Sequence, residues 1–454
     1  MPSSGESLRE IGLACQAGLE AVQQAPSLAL MVLAALRLGM LVAARVVEAV
    51  LAERAQRRTQ WPACPGCGRQ LRSKGFAPRQ MDTLLGAIRW RRRVGRCPDG
   101  CDIGQVAPLD EELGIAAGQC SSVELQEAGC ALAVFVPFET AAALLMRLTG
   151  VAVSAGTVWG WVQAAGARAM AHLKLELDAL ESGEMPAVEA MPEETAALPL
   201  VIGADGVMVP FRPEGGKPRG RTAWHEVKVA VLTRLGLRRT RRGEDVPHLE
   251  QRRLVAVRGD VAALQPRLWL EALRQGIRDA KLVAWVSDGA RGLWGLFEAR
   301  FAGHAVGILD FYHAAQNLWK GATAWLDGRT KAAREWFRSG RHRLRHGDQE
   351  SVLADVAAAM ELDGLSASAR RTLASLYKYL EKHRKHLDYQ KFKELGLPLG
   401  SGMVESACKW LIQQRFKGVG MRWSEDGFDH LLHLRLAWVN GRFDGLFLLA
   451  ASPN

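Results

Sequence analysis

At 454 residues the chain is about three times the usual domain of roughly 150, so several domains are expected, and 48% hydrophobic with 24% charged residues is ordinary globular material. The net charge of +11 favours a polyanionic partner if the surplus is clustered. The longest uncharged apolar run near the start, PSLALMVLAAL, is eleven residues and stops at Arg37, short of the roughly 20 that span a bilayer; with no cleavable leader pattern, a membrane or exported protein is excluded and a cytoplasmic one expected.

Residues 1–60 form an N-terminal helical segment, with apolar periodicity over 27–57 that predicts one or two amphipathic helices. Residues 61–108 are rich in Gly, Pro and Cys with short β-like pieces. Nine Arg/Lys stand between 61 and 100 against Asp82 and Asp99, which concentrates most of the charge surplus here. Two close pairs, Cys64-x2-Cys67 in CPGC and Cys97-x3-Cys101 in CPDGC, suit a structural Zn²⁺, which wants four thiolates held by tight turns. The 29 residues between the pairs exceed the usual spacing, and a redox pair or free buried thiols is the alternative. Residues 109–170 return to helix. Within FETAAALLMRLTGVAVSAGTVWGWVQAAG, a first helix ends near Gly150 and Ser154 caps a second, the helix-turn-helix pattern. There the Arg89, Arg91, Arg92 and Arg93 run would contact phosphates, while Thr157, Trp159 and Gln163 would read bases. Plain helical packing gives the same pattern.

Residues 171–197 are acidic and Pro-containing and read as a linker. Beyond it, residues 198–315 alternate strands with helices: LPLVIGADGVMV, AWHEVKVAVLTRL and RRLVAVRGD are three successive strands, followed by helix, strand KLVAWVSDGA, helix, and strand HAVGILDFYH. Residues 316–396 form a basic, wholly helical insertion, with eight Arg/Lys against two acids between Lys320 and Arg345. Residues 397–454 close the chain with helices that carry GMVESACKWLIQQRF.

Asp205 ends the first of these strands, Asp288 the fourth, and Glu405 lies on a late helix after PLGSG. Each alone is ordinary turn or surface chemistry. In a three-strand, helix, strand topology, however, the first and fourth strands lie side by side, so the two aspartates meet, and a Glu on a packed helix completes a cluster. Three carboxylates call for divalent cations, Mg²⁺ or Mn²⁺, and two such ions about 4 Å apart suit phosphodiester displacement.

The blocks GADGVMVP, WVSDGARGLW, ILDFYHAAQNLW and LPLGSGMVESACKWLIQQRFKGVGMRWS resemble the DDE transposases of bacterial insertion sequences, most of all the ISKra-type family, from about residue 60 to 440. The resemblance implies a multidomain α+β chain. N-terminal helices, a zinc-ribbon-like module and a helix-turn-helix would precede an RNase H-like α/β core that carries an all-helical insertion. It implies a catalytic triad of Asp205, Asp288 and Glu405 using Mg²⁺ or Mn²⁺, and structural zinc on Cys64, Cys67, Cys97 and Cys101. Asp310-x-x-His313 matches a signature near the active site, with His313 positioning DNA or a carboxylate rather than a metal. Arg415, Lys417, Arg422 and Trp423 follow Glu405 and would hold the scissile strand or stack a flipped base, although Trp423 fits a half-buried core aromatic equally well. The implied activity is hydrolysis at transposon ends followed by strand transfer into target DNA. The implied partner is double-stranded DNA, bound by a homo-oligomer at the bacterial nucleoid, with no membrane. Two alternatives stand beside it: a domesticated, non-cleaving zinc and helix-turn-helix regulator, and a different nuclease of the same fold.

Overall fold

The computed structural model describes residues 4–213 and 220–451. The chain divides into two compact units, Met1–Arg168 with Gly441–Asn454, and Ala169–Asn440.

The first unit opens with helices α1 (Ser4–Gln23) and α2 (Leu28–Gln56). Ser27 caps α2 by accepting the Leu30 N–H. α2 is one continuous helix that runs straight through Arg37, because a single long basic side chain on a helix surface reaches water without breaking the backbone pattern. Its most apolar 18 residues average a hydropathy of 2.1 and are 6% buried, so by length and composition it could cross a bilayer. The exclusion of a membrane from the eleven-residue run is therefore withdrawn. One such helix near the N-terminus is weak evidence for a membrane as well, since a signal sequence passes the same test.

A hairpin of β1 (Arg72–Thr83) and β2 (Gly86–Arg96) follows, turning on Leu84 and Leu85. Alternation along β2 buries Ile88 and Trp90 against Met81 and Ala44 of α2 and leaves Arg89 and Arg91 exposed. Then come α3 (Pro108–Glu112), α4 (Val123–Phe135), α5 (Phe138–Thr149) and α6 (Ala155–Glu181). Gly129 of α4 has no side chain because the Trp161 ring of α6 occupies that space, 2.7 Å from where a Cβ would sit. A last helix, Gly445–Ala451, packs on α4.

α6 carries the chain past the unit boundary, so residues 171–181 are helix, and the irregular connection is confined to about 182–192. The acidic residues read as a linker are partly the solvated face of this helix, a composition that helix and linker share. In the second unit α7 (Glu193–Ala196) precedes β3 (Leu200–Phe211), β4 (Ala223–Arg239), β5 (Asp245–Arg258), α8 (Val261–Arg274), β6 (Val283–Ser287), α9 (Arg291–Leu296) and β7 (Val306–Leu309). The five strands form one mixed sheet in the order β5-β4-β3-β6-β7. β3, β4 and β5 are antiparallel neighbours, whereas β3, β6 and β7 run parallel. Leu200 to Ala204 and Val283 to Ser287 are buried without alternation, as central strands covered on both faces must be.

The insertion is α10 (Phe311–Trp325), α11 (Lys331–Arg345), α12 (Gln349–Met360), α13 (Ala367–Lys382) and α14 (Tyr389–Glu394). Asp310, Thr330, Asp348, Ser366 and Asp388 each accept a first-turn N–H, so capping side chains mark the start of every helix. α15 (Gly402–Ala407) continues through a π-helical turn, Cys408–Gln413, into α16 (Gln414–Phe416), and α17 (Glu425–Val439) packs on β5.

Candidate functional site

In the first unit, the Sγ atoms of Cys64, Cys67, Cys97 and Cys101 lie within 4.8 Å of one another and none is disulfide-bonded. The first knuckle is closed by the Gly68 N–H donating to the Cys64 carbonyl at 2.8 Å, with Gly68 in the left-handed region at φ 74°. Four thiols this close do not ionise alike. The Arg69 N–H favours the Cys67 thiolate, but hydrogen bonding with Cys97 and burial prevail and push that thiol up to about 12. Cys97 goes the other way: N–H groups of Cys101 and Asp99 outweigh burial and draw it down to about 7. Four sulfurs on two tight turns fit a tetrahedral zinc. Among the described residues this is the only group of three or more His, Cys, Asp or Glu whose ligand atoms are all so close.

Of the arginines read as phosphate contacts, Arg89 and Arg91 are exposed and share a groove with Arg79 and Trp90. Arg92 is not available to DNA. Its Nε is 3.0 Å from both carboxylate oxygens of Asp110, and its Nη1 donates to the Ala77 and Pro78 carbonyls. Arg93 is half-buried, 4.9 Å over the Phe76 ring. In the helix pair, Gly150 ends α5 in the left-handed conformation, and Ser154 accepts the Thr157 N–H. Thr157 and Trp159 are exposed at the start of α6; Gln163 is half-buried, which limits its reach.

In the second unit, β3 and β6 pair in parallel up to Ala204 opposite Ser287, so Asp205 and Asp288 are the next residue of each. Asp288 follows the end of β6, but Asp205 does not end its strand as expected, because β3 runs on to Phe211 in its antiparallel pairing with β4. Both are half-buried. Burial and then the charge of Asp288 raise the Asp205 carboxyl above its ordinary range, although the Gly206 N–H donates to its Oδ1 at 2.7 Å. The Asp288 carboxylate accepts the Ala290 N–H, and its carbonyl accepts the Trp294 indole N–H at 2.6 Å.

Asp310 ends β7, and its N–H donates to the Ser287 carbonyl. It is buried, and its Oδ2 accepts both the N–H and the hydroxyl of Ser401 at 2.6 Å, while Oδ1 accepts the His313 N–H at 2.9 Å. Burial would push this carboxyl up, but the donors from His313 and Ser401 hold it far below the carboxylate range. The Asp310 carboxylate in turn raises His313, helped by the charges of Asp288 and Asp205.

α15 lies on β3 where Gly203 leaves room. A Cβ there would come within 2.5 Å of Val404 and 2.8 Å of Met403. This seats Glu405, the next residue, beside the strand that carries Asp205. The buried Cys408 thiol is pushed up to about 12 by burial and then by the charges of Asp205 and Glu405, so it feels both. The Glu405 carboxylate is exposed and accepts a hydrogen bond from Lys409 at 2.8 Å, and the carboxylates of Asp205, Asp288 and Glu405 are not all within 4.8 Å of one another.

Two expectations downstream of Glu405 are corrected. Arg415 is 2% exposed, lies over the Trp423 ring, and is held down to about 10 by burial and then by Arg435. It belongs to the interior, between the Trp423 ring and Arg435 of α17. Trp423 is structural too: its indole N–H donates to the Phe416 carbonyl, and its backbone extends the sheet beside Phe211. Lys417 and Arg422 are exposed.

Four residues at this site escaped the sequence reading. Ser401 fastens the loop before α15 to Asp310. Lys228, opposite Gly206 in β4 and bonded to Glu226 at 2.6 Å, brings a buried cation to Asp205. Tyr379 of α13 lays its ring against Gly289, and Trp294 holds the Asp288 carbonyl. Only Lys228 left a signal, a lone charge within the apolar run VKVAVL.

No known family model matches the chain. It is similar to a UPF0236 protein in the vanSb 3′ region of Streptococcus gallolyticus, 25% identical over 380 residues that cover 81% of this chain and 74% of that one. Among solved structures it is similar to the Drosophila P element transposase strand transfer complex, with a TM-score of 0.32 and 12% identity over 71% of this chain and 93% of that one.

Proposed function

We propose that the protein is a DNA transposase of the DDE type, akin to the ISKra-type family, with an RNase H-like core. In this reading Asp205, Asp288 and Glu405 form the catalytic centre. The observation that carries it is the register that sets Asp205, within β3, beside Asp288 at the end of neighbouring β6, with the helix of Glu405 seated on β3.

Two neighbouring carboxylates, with Asp205 raised by burial and then by Asp288, form a site whose hard oxygen donors suit Mg²⁺ or Mn²⁺. Bound there, such ions would polarise the scissile phosphodiester and the attacking hydroxyl. The chain's own part is positional. Asp310 holds Ser401 and hence the approach to Glu405, while Trp294 and Tyr379 fix the backbone around Asp288. Lys228 balances charge beside Asp205.

Four cysteines within ligand distance support a structural zinc, and exposed Arg89 and Arg91 support phosphate contacts beside it. Thr157 and Trp159 at the start of α6 are the candidates for base contacts.

The test is a strand-transfer assay with the DNA ends that flank the protein's own coding region, in Mg²⁺ or Mn²⁺, alongside Asp288→Ala. Joined products from the native protein alone are expected. Tight binding of those ends without cutting in either metal favours the non-cleaving regulator, and joining by Asp288→Ala removes the proposed triad.

A further inference from the structure

Beside the carboxylates, α10 and α11 frame an open groove of about 680 Å³, inside the range of ligand sites. Beside Ala315 and Gln316, its lining combines aromatic rings with cations. Tyr312, Trp319 and Phe337 supply ring surface, and Lys320, Arg334 and Arg338 supply charge. The spacing places them on facing stripes: Tyr312, Trp319 and Lys320 recur at helical intervals on α10, and Arg334, Phe337 and Arg338 on α11.

The rings are arranged for contact with something outside the chain. Trp319 and Phe337 meet edge to face with centroids 5.3 Å apart and form a half-buried floor. Tyr312 stands at the rim, 59% exposed, where a tyrosine needed only for packing would be covered. The cations are equally uncommitted. Other basic residues of α11 are engaged: Lys331 with Glu335, Arg343 with Asp355, and Arg341 and Arg345 over the Phe311 ring. Among the described residues, Lys320, Arg334 and Arg338 have no carboxylate within ion-pair distance.

We infer that this groove binds an unpaired stretch of DNA, its bases stacked on Tyr312 and Trp319 and its phosphates met by Lys320, Arg334 and Arg338. Ring faces bordered by free cations match single strands, whose bases are open to stacking; a paired duplex offers the groove phosphates only. Tyr312 lies between Asp310 and His313, and its ring rests against Gly400 in the loop before α15. The groove therefore begins at the carboxylate site, where a strand opened for cutting would leave it. The choice of DNA as the polymer rests on the proposed strand-cutting function. The stacking role expected of Trp423 passes to these residues.

The experiment measures binding of the full chain in buffer without added Mg²⁺ or Mn²⁺, by fluorescence anisotropy, to a labelled oligothymidylate of about 12 nucleotides and to a duplex of equal length. Tyr312→Ala and the double change Arg334→Ala with Arg338→Ala should each weaken the oligothymidylate by roughly tenfold or more, with duplex affinity moving less than about twofold. Tyr312→Trp should retain binding. Photocrosslinking of the native protein to an oligonucleotide bearing 5-iodouracil, mapped by mass spectrometry, needs no variant and should mark Tyr312 or Trp319. Unchanged oligothymidylate binding in both variants, an equal fall for duplex, or crosslinks confined to other segments would overturn the inference. Because no Mg²⁺ or Mn²⁺ is added in the binding assay, stacking found here while the separate strand-transfer assay shows no cutting would keep the groove and remove the proposed activity; cutting without stacking would do the reverse.

Discussion

The two candidate metal centres are built by opposite strategies. The cysteine cluster takes its ligands from two short turns, each pair within a few residues, and its four sulfurs are already within 4.8 Å. The carboxylate site takes Asp205, Asp288 and Glu405 from three elements 200 residues apart in sequence and is left open, with Glu405 on Lys409. A locally built site is complete as soon as its turns fold and suits a structural ion. A site assembled by sheet order and a docked helix can close when substrate arrives, which suits catalysis.

That contrast can be broken most sharply by removing metal. Cys64→Ser with Cys67→Ser, or a strong zinc chelator, should unfold residues 61–108, since such ions supply on the order of 10 kcal/mol in small modules. Limited proteolysis would show new cuts there and none in the sheet of the second unit. A module that stays folded without zinc would end the structural role.

The carboxylate site should be sensitive instead to the seating of its helix. Gly203→Ala drives a methyl into Val404 and Met403 and meets the Val286 carbonyl at 3.3 Å, so a loss of about 1–3 kcal/mol is expected from thermal melts. Cleavage should fall by roughly 100-fold, as the displacement reaches Glu405. A stable variant that cuts at the native rate would show that α15 does not set the site.

Asp310→Asn comes next, at about 1–3 kcal/mol, because a charged acceptor of the Ser401 and His313 donors is lost. Its pH dependence has a definite sign. The folded carboxyl is depressed, so the stability it adds is present above its unfolded pKa near 4 and is lost as pH falls further. The gap between native and variant, from denaturant melts, should be widest near about pH 5 to 6, shrink in acid as Asp310 takes up a proton, and shrink again as pH rises through the raised pKa of His313, which the Asp310 carboxylate holds up. A gap that opens only toward alkaline pH would contradict the clamp.

The smallest effect belongs to Lys409→Ala. An exposed pair is worth less than about 1 kcal/mol, so the melting temperature should hardly move. Freed from Lys409, Glu405 should lower the Mn²⁺ concentration that half-saturates cutting; a higher requirement would mean that Lys409 helps to present it.

What is legible in the sequence follows the same division. The cysteine pairs are legible because their turns are local, and the order of strands because buried parallel strands are apolar runs joined by right-handed crossovers. The clamp of Asp310 on Ser401 is invisible there, since the two are 91 residues apart and meet only when β7 and the loop before α15 are in place. Arg415 misleads because a basic residue in a basic block is expected outside, and only the packing of Phe416 and α17 shows it inside. α2 misleads in the opposite way, since a single charge interrupts the apolar run in the sequence while the helix continues through it.

The most direct measurement is strand cleavage of an end-bearing duplex by Asp205→Asn, Asp288→Asn and Glu405→Gln at saturating Mn²⁺, each first shown to melt as the native protein does. Each should lose roughly a thousandfold or more, because every carboxylate is needed to hold the ions. Native-rate cutting by any one of them would contradict a centre built from these three residues.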